Sequence, residues 1–158
     1  MTIRLALPSE YDAVGELTAQ AYSHDGFVRG QYAMTLRAAA DRAAKAELWV
    51  AVDGEGLLGT VTYCPVGSVY REIGRDDEGE FRMLGVAGRA RGQGIGTALT
   101  ERCIERSREA GLRRVVLSSA TYMTTAHRIY ERLGFTRLPE RDWAPIPGVD
   151  LYAFALDL

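Results

Sequence analysis

Arg91-Gly92-Gln93-Gly94-Ile95-Gly96-Thr97 is a basic, glycine-rich turn directly behind the strand-like run Glu80-Phe81-Arg82-Met83-Leu84-Gly85-Val86. That order of residue types suits a phosphate. Glycines let a ligand approach the backbone because no Cβ intervenes, and a helix that begins there aims unpaired N–H groups and its positive dipole end into the turn. Arg89 and Arg91 add formal charge beside those donors. Spacing separates the phosphate-binding alternatives. A P-loop requires Lys-Ser/Thr after its last glycine, whereas Gly96 is followed by Thr97-Ala98. The dinucleotide fingerprint G-x-G-x-x-G requires glycine at 97 and normally opens a βαβ domain, whereas Thr97 holds that position and the turn lies past the middle of the chain. What is left is R-x-x-G-x-G, Arg91 to Gly96, and on this stretch alone a glycine turn without a ligand stays open as an alternative.

The elements that must position the turn follow from periodicity and punctuation. Ile3-Arg4-Leu5-Ala6 alternates like a strand. Pro8-Ser9-Glu10 then starts a helix that carries Tyr11, Val14, Leu17, Thr18 and Ala21 at helical spacing through Tyr22. Ser23-His24-Asp25-Gly26 interrupts, and Tyr32 to Ala44, rich in alanine and arginine, reads as a second helix. Glu47 to Val52 and Leu57 to Tyr63 are strands of a hairpin turned at Asp53-Gly54-Glu55-Gly56. Residues 66 to 79 are a mixed-charge loop. Ile95 to Ala110 is an amphipathic helix with Gly111 as its C′ residue, and Val115 to Ser119 is an apolar interior strand. Met123 to Leu133 is helical up to Gly134, and a strand begins at Phe135. Pro139, Pro145 and Pro147 confine the next segment to a loop. Asp150 to Leu156 closes the sheet and, as an exposed final strand, could support a homodimer by edge pairing.

With 158 residues, no internal repeat and no linker, the chain 1–158 reads as a single domain, 47% hydrophobic and 25% charged. A net charge of −2 excludes a global nucleic-acid footprint, and no patch replaces it. The N-terminus is not patterned as a signal peptide and no apolar run reaches membrane-spanning length, so the expectation is a cytoplasmic protein without membrane contact. Cys64 and Cys103 fall on apolar runs and read as core thiols. Two histidines without clustered cysteines leave no metal-ligand set.

Behind the glycine turn, Ala126-His127-Arg128-Ile129-Tyr130-Glu131-Arg132-Leu133-Gly134-Phe135 has the form A-x-x-x-Y-x-x-x-G-F. With R-x-x-G-x-G ahead of it and this element order, nearly the whole chain resembles the GNAT acetyltransferase superfamily. The resemblance implies an α/β (α+β) acyl-CoA N-acyltransferase fold, a mixed, mostly antiparallel sheet with helices on both faces, splayed between the strand ending at Val86 and the strand from Val115. It implies transfer of the acetyl group of acetyl-CoA to a primary amine by direct attack in a ternary complex, without a metal. By position, Leu84, Gly85 and Val86 would offer backbone groups to the pantetheine arm, and Arg91, Gly92, Gln93, Gly94, Ile95, Gly96 and Thr97 would receive the pyrophosphate. Tyr130 matches the frequent general acid, since a phenol can protonate the departing sulfur. Glu80 stands where some members carry the base that deprotonates an ammonium of pKa about 10.4, with a solvated strand-end charge after an acidic loop as the alternative. Arg82 would share its face and could pair with it. The region of the first two helices would line the acceptor pocket.

Two departures stand out. Met123 replaces an asparagine that many relatives use on the cofactor, and Ser118 stands where relatives acting on protein N-termini can carry a glutamate. His127 reads as a solvated or capping histidine among Arg128, Glu131 and Arg132. Acidic residues at 76 to 80 favour a cationic acceptor amine, and a small metabolite, an antibiotic-like amine, a peptide N-terminus and a protein lysine all fit. The alternative from another class is a module that binds CoA or acyl-CoA without turnover and regulates a partner.

Overall fold

A computed structural model of the chain describes residues 1–24 and 30–158; Asp25 and Gly26 of the expected interruption lie outside the described residues. Strand β1 (Thr2–Leu5) passes through the turn Pro8–Glu10 into α1 (Tyr11–His24), followed by α2 (Gly30–Arg37), α3 (Ala39–Lys45), β2 (Glu47–Asp53), β3 (Gly56–Cys64) and β4 (Glu78–Val86). Then come α4 (Ile95–Glu109), β5 (Arg114–Ala120), α5 (Thr124–Arg132), β6 (Thr136–Arg137), β7 (Trp143–Ile146) and β8 (Val149–Asp157). The sheet runs β1-β2-β3-β4-β5-β8-β6, with β7 also on β8. Among the described residues only β4 and β5 pair in parallel. Helix α4 lays the stripe Ile95, Leu99 and Cys103 on one face, while α1 packs on the other face through Leu17 and Ala21, against Gly85. Both cysteines are buried and free. Among the described residues no helix is long and apolar enough to cross a membrane.

The pairing of β4 makes the site. Thr60 faces Gly85 but Thr62 faces Arg82, so β4 carries one residue more than β3 in this interval. Met83, at φ 57, is the described non-glycine residue with positive φ, and the surplus is a β-bulge. The bulge resets alternation. Phe81 faces α5, where its ring lies 5.8 Å from that of Tyr130. Past the bulge it is Leu84 and Val86 that reach α4, beside Gly96. On its other edge β4 meets β5 only from Glu78 to Glu80, against Arg114 to Val116, while β5 stays paired with β8 through Ala120. The two strands therefore diverge as a wedge, as the resemblance implied.

Three expectations are corrected. The single helix 32–44 is two, broken at Ala38 (φ −78, ψ 56). The fully buried Arg42 donates from Nη1 to the carbonyls of Thr35 (2.7 Å) and Leu36 (2.8 Å), taking up acceptors at the end of α2. The proline-rich loop contains β7, with Pro145 tolerated because β7 pairs on one side only. Strand β8 is not an open edge, because β5 covers one side and β6 and β7 the other.

Gly15 in the middle of α1 supplies a test of the α1–α2 contact. A Cβ there would sit 2.4 Å from the Arg37 carbonyl oxygen, a backbone atom that cannot swing aside. Helix propensity alone predicts that Gly15→Ala stabilises by about 1 kcal/mol. The packing predicts the opposite, a loss of about 1–3 kcal/mol, measurable as a lower denaturant midpoint with unchanged slope.

Candidate active site

The wedge opens into a cavity of about 1020 Å³. Phe81, Arg82, Met83 and Leu84 of β4 form one wall and Leu117 to Ala120 of β5 the other. Met123, the N-cap of α5, closes one side with Ala126 and Tyr130 of that helix, and Tyr22 and Tyr32 stand on the side of α1 and α2. The segment between β3 and β4, expected as a solvated loop, folds in and contributes Tyr70 and Glu72.

Tyr130 is 4% exposed, with its ring 5.8 Å from each of Phe81, Phe135 and Phe154. These contacts fix the ring, and burial pushes the phenol well above its ordinary range, so it stays protonated at neutral pH and able to donate.

Glu80 is placed differently from the expectation. It is fully buried and does not line the cavity. Its carboxylate accepts the backbone N–H groups of Glu72 (3.1 Å), Ile73 (3.2 Å) and Gly74 (2.8 Å). Burial raises its pKa, and these three bonds oppose the rise. Nor does Arg82 pair with it: Arg82 Nε binds Glu72 Oε1 at 3.0 Å. The structure thus brings Tyr130 and Arg82 to one cavity and sets Glu80 beneath the loop that delivers Glu72. Burial raises the Glu72 pKa, which Arg82 offsets. Nothing in the local sequence marks Glu72, because its position depends on bonds to a residue of the next strand.

The glycine turn forms a cradle. Gly92 (φ 76) and Gly94 (φ 79) lie in the left-handed region, and a Cβ on either would meet no protein atom within 4 Å. Gly94 caps α4 with no side-chain hydrogen bond. The helical ladder starts with Ala98 N–H to the Gly94 carbonyl at 3.0 Å, so the N–H groups of Ile95, Gly96 and Thr97 precede it and face outward. Gly96 does a different job: a Cβ there would press on Ile129 Cδ1 at 2.9 Å, so its absence lets α4 and α5 approach. Arg91 lies beside Gly88 with Val86 along a groove against α1, whereas Arg89 turns back to Asp53 (3.2 Å). Ser118 Oγ accepts Trp143 Nε1–H at 3.0 Å. His127, expected as solvated, is buried against Tyr152 and Phe154 with Nε2 3.0 Å from Ser119 Oγ, and burial lowers its pKa.

Comparison with known proteins agrees with this geometry. The model of the Acetyltransferase (GNAT) family matches residues 11–135. An N-acetylaspartate synthetase of Danio rerio is 37% identical over 102 residues, covering 64% of this chain and 33% of the relative. A mycothiol acetyltransferase of Geodermatophilus obscurus is 38% identical over 94 residues, covering 58% of this chain and 29% of the relative. The chain thus spans about a third of the length of these two relatives. A solved acetyltransferase of the GNAT family from Staphylococcus aureus superposes with a TM-score of 0.77 at 15% identity, covering 99% of this chain and 98% of the other, which shows the fold.

Glu80→Gln tests the loop-holding geometry. A neutral amide offers one acceptor oxygen to three N–H groups, so stability should fall by about 1–3 kcal/mol at neutral pH. Because the Glu80 pKa is raised on folding, the folded state holds its proton more tightly, and the stability that this group contributes declines as pH rises from about 4.5 through its folded pKa. The wild-type advantage over Glu80→Gln should therefore be larger at pH 4.5 than at pH 7, read from denaturant midpoints.

Proposed function

The chain belongs to the GNAT acetyltransferase family, and on that footing we propose that it is an N-acetyltransferase transferring the acetyl group of acetyl-CoA to a primary amine by direct attack in a ternary complex. The observation that carries this reading is the wedge. Its wall β4 leads from the cavity holding Tyr130 and Glu72 directly into the open glycine cradle, an order that suits a long cofactor with a thioester at one end and a pyrophosphate at the other.

In this reading the pyrophosphate sits on Arg91, Gly92, Gln93, Gly94, Ile95, Gly96 and Thr97, where unpaired N–H groups and the dipole of α4 favour an anion. The pantetheine arm runs along Leu84, Gly85 and Val86, whose edge toward β5 lies beyond the last β4–β5 pair. The acceptor nitrogen attacks the thioester carbonyl, the C–N bond forms, the C–S bond breaks and the electron pair leaves on sulfur. Tyr130 gives its proton to that sulfur. Of the two carboxylates near β4, Glu72 faces the acceptor cavity, which favours it, directly or through water, as the group that receives the amine proton. Glu80 acts through it as a positioning residue, holding residues 72 to 74. Acetyl-CoA supplies the activated acyl group, and no step calls for a metal. The reduced, buried Cys64 and Cys103 suit the cytoplasm, where we place the reaction.

Gly94→Val should remove acetyl-CoA binding, measured by calorimetry on folded protein, because a branched side chain would both fill the cradle and occupy an unfavourable φ. Equal affinity in wild type and variant would take the turn out of the site. Tyr130→Phe keeps the ring among Phe81, Phe135 and Phe154 and deletes the donor. Acetyl-CoA affinity should hold while turnover of an accepted amine falls by roughly 10²–10⁴-fold, in an assay of free thiol release. A folded protein that binds acetyl-CoA yet releases no thiol with any amine would instead be the non-catalytic binding module.

A further inference from the structure

The acidic residues at 76 to 80, expected to favour a cationic acceptor, do not line the cavity. Of the acidic run 76 to 80, Asp77 pairs with Arg113, Glu78 is buried on Arg141 at 2.5 Å, and Glu80 is enclosed under the loop. None of these three lines the cavity. The carboxylates that line it are Asp41 and Glu72, and the cation that lines it is Arg82, with a side chain 13% exposed. Its described partners are Glu72, the Tyr70 carbonyl (3.1 Å) and the Tyr32 hydroxyl. A guanidinium carries five N–H donors, so its fork has capacity beyond those three.

Arg42 lies close enough to Arg82 and Asp41 for the charges to be felt. It is fully buried, its hydrogen bonds run to the Thr35 and Leu36 carbonyls and the Thr18 hydroxyl, and among the described residues its Nε has no partner. Among the described residues no carboxylate forms a salt bridge with it. Asp41, at the cavity margin, is engaged by Lys45 (2.8 Å) and the Tyr70 hydroxyl. The lining carboxylates Asp41 and Glu72 are thus paired with Lys45 and Arg82, and Arg42, fully buried behind the lining, is left as the excess cation. The excess positive charge sits in a low-dielectric setting, where an anionic group gains most.

We propose that the acceptor is an amine that also bears a carboxylate, of the amino-acid type, with its carboxylate held by Arg82 and its amino group turned to Tyr130 at the wedge. The inference rests on the acetyltransferase reading of the same site. The planar guanidinium takes a carboxylate through paired N–H bonds, and the excess charge from Arg42 compensates the second anion beside Glu72. Phe81, which touches Tyr130, immediately precedes Arg82 on β4. The carboxylate anchor and the proton donor thus flank one strand segment, so a small molecule can engage both.

The test is thiol release from acetyl-CoA by the full chain with matched amines: free amino acids, their carboxamides and the corresponding decarboxylated amines. Free acids should exceed their own amides by roughly 10²-fold or more in kcat/KM, because the amide offers the fork one acceptor instead of two and no charge. In Arg82→Gln this ratio should collapse to within about tenfold, mainly through a higher KM for the acid, and Arg82→Lys, which keeps the charge but loses the fork, should fall between. Should Arg82→Gln fail to fold, the wild-type ratio decides by itself. Release from amides and plain amines without preference for the acid overturns this inference alone, and so does an acid preference that survives in folded Arg82→Gln. No release from any amine by protein that binds acetyl-CoA overturns the acetyltransferase reading together with it.

Discussion

Strand β4 carries one residue more than β3 between Gly85 and Arg82, and the site depends on that surplus. A ladder with two residues opposite one bends its strand and interrupts pairing. Met83 absorbs the change at φ 57, a conformation that costs an L-residue about 1–2 kcal/mol. The consequence is geometric. Phe81 lies under Tyr130, the side chains beyond the bulge are re-aimed, and β4 leaves β5 after Glu80. A flat sheet with the same composition would have no opening between its central strands.

The closed end of the wedge needs an anchor, and Glu78 supplies it. Fully buried, it is held by both Nη atoms of Arg141, at 2.5 and 3.0 Å, and by the Arg75 N–H at 2.9 Å. Burial alone would raise its pKa, but Arg141 and Arg75 outweigh burial and hold it below the ordinary carboxylate range. Two residues on, Glu80 organises the loop ahead of β4 by gathering three N–H groups. Two buried carboxylates at alternate positions thus hold the strand and its approach, and that approach carries Tyr70 and Glu72 to the cavity. Buried charges persist only when paired or hydrogen-bonded, so an acid-rich stretch that looks solvated can be structural.

Glycines divide between the two tasks of the site. Gly92 and Gly94 leave space and positive φ to the cradle, while Gly96, Gly59 and Gly15 permit contacts with Ile129, with the Gly85 carbonyl and with the Arg37 carbonyl. One turn sequence therefore leaves open space and lets helices pack within three positions.

The sequence by itself determined the order of elements, the hairpin at Asp53 to Gly56, the glycine-capped ends of α4 and α5 and the two signatures around Gly94 and Tyr130. Periodicity, φ preference and backbone access are local properties, and residue types record them. Tertiary structure alone decided what depends on partners far along the chain. The break at Ala38 comes with the Arg42 guanidinium bound to carbonyls of α2, although every residue from 38 to 40 is alanine and favours helix. Pro145 enters a strand because β8 offers a one-sided edge. Arg82 pairs with Glu72 instead of the Glu80 that alternation on β4 suggested, since three backbone bonds bury Glu80 and deliver Glu72 to Arg82. His127 enters the core because Ser119, on β5, meets its ring nitrogen. The charge of a side chain is written in its letter, but whether it faces water, a loop or a substrate is set by which distant groups satisfy it.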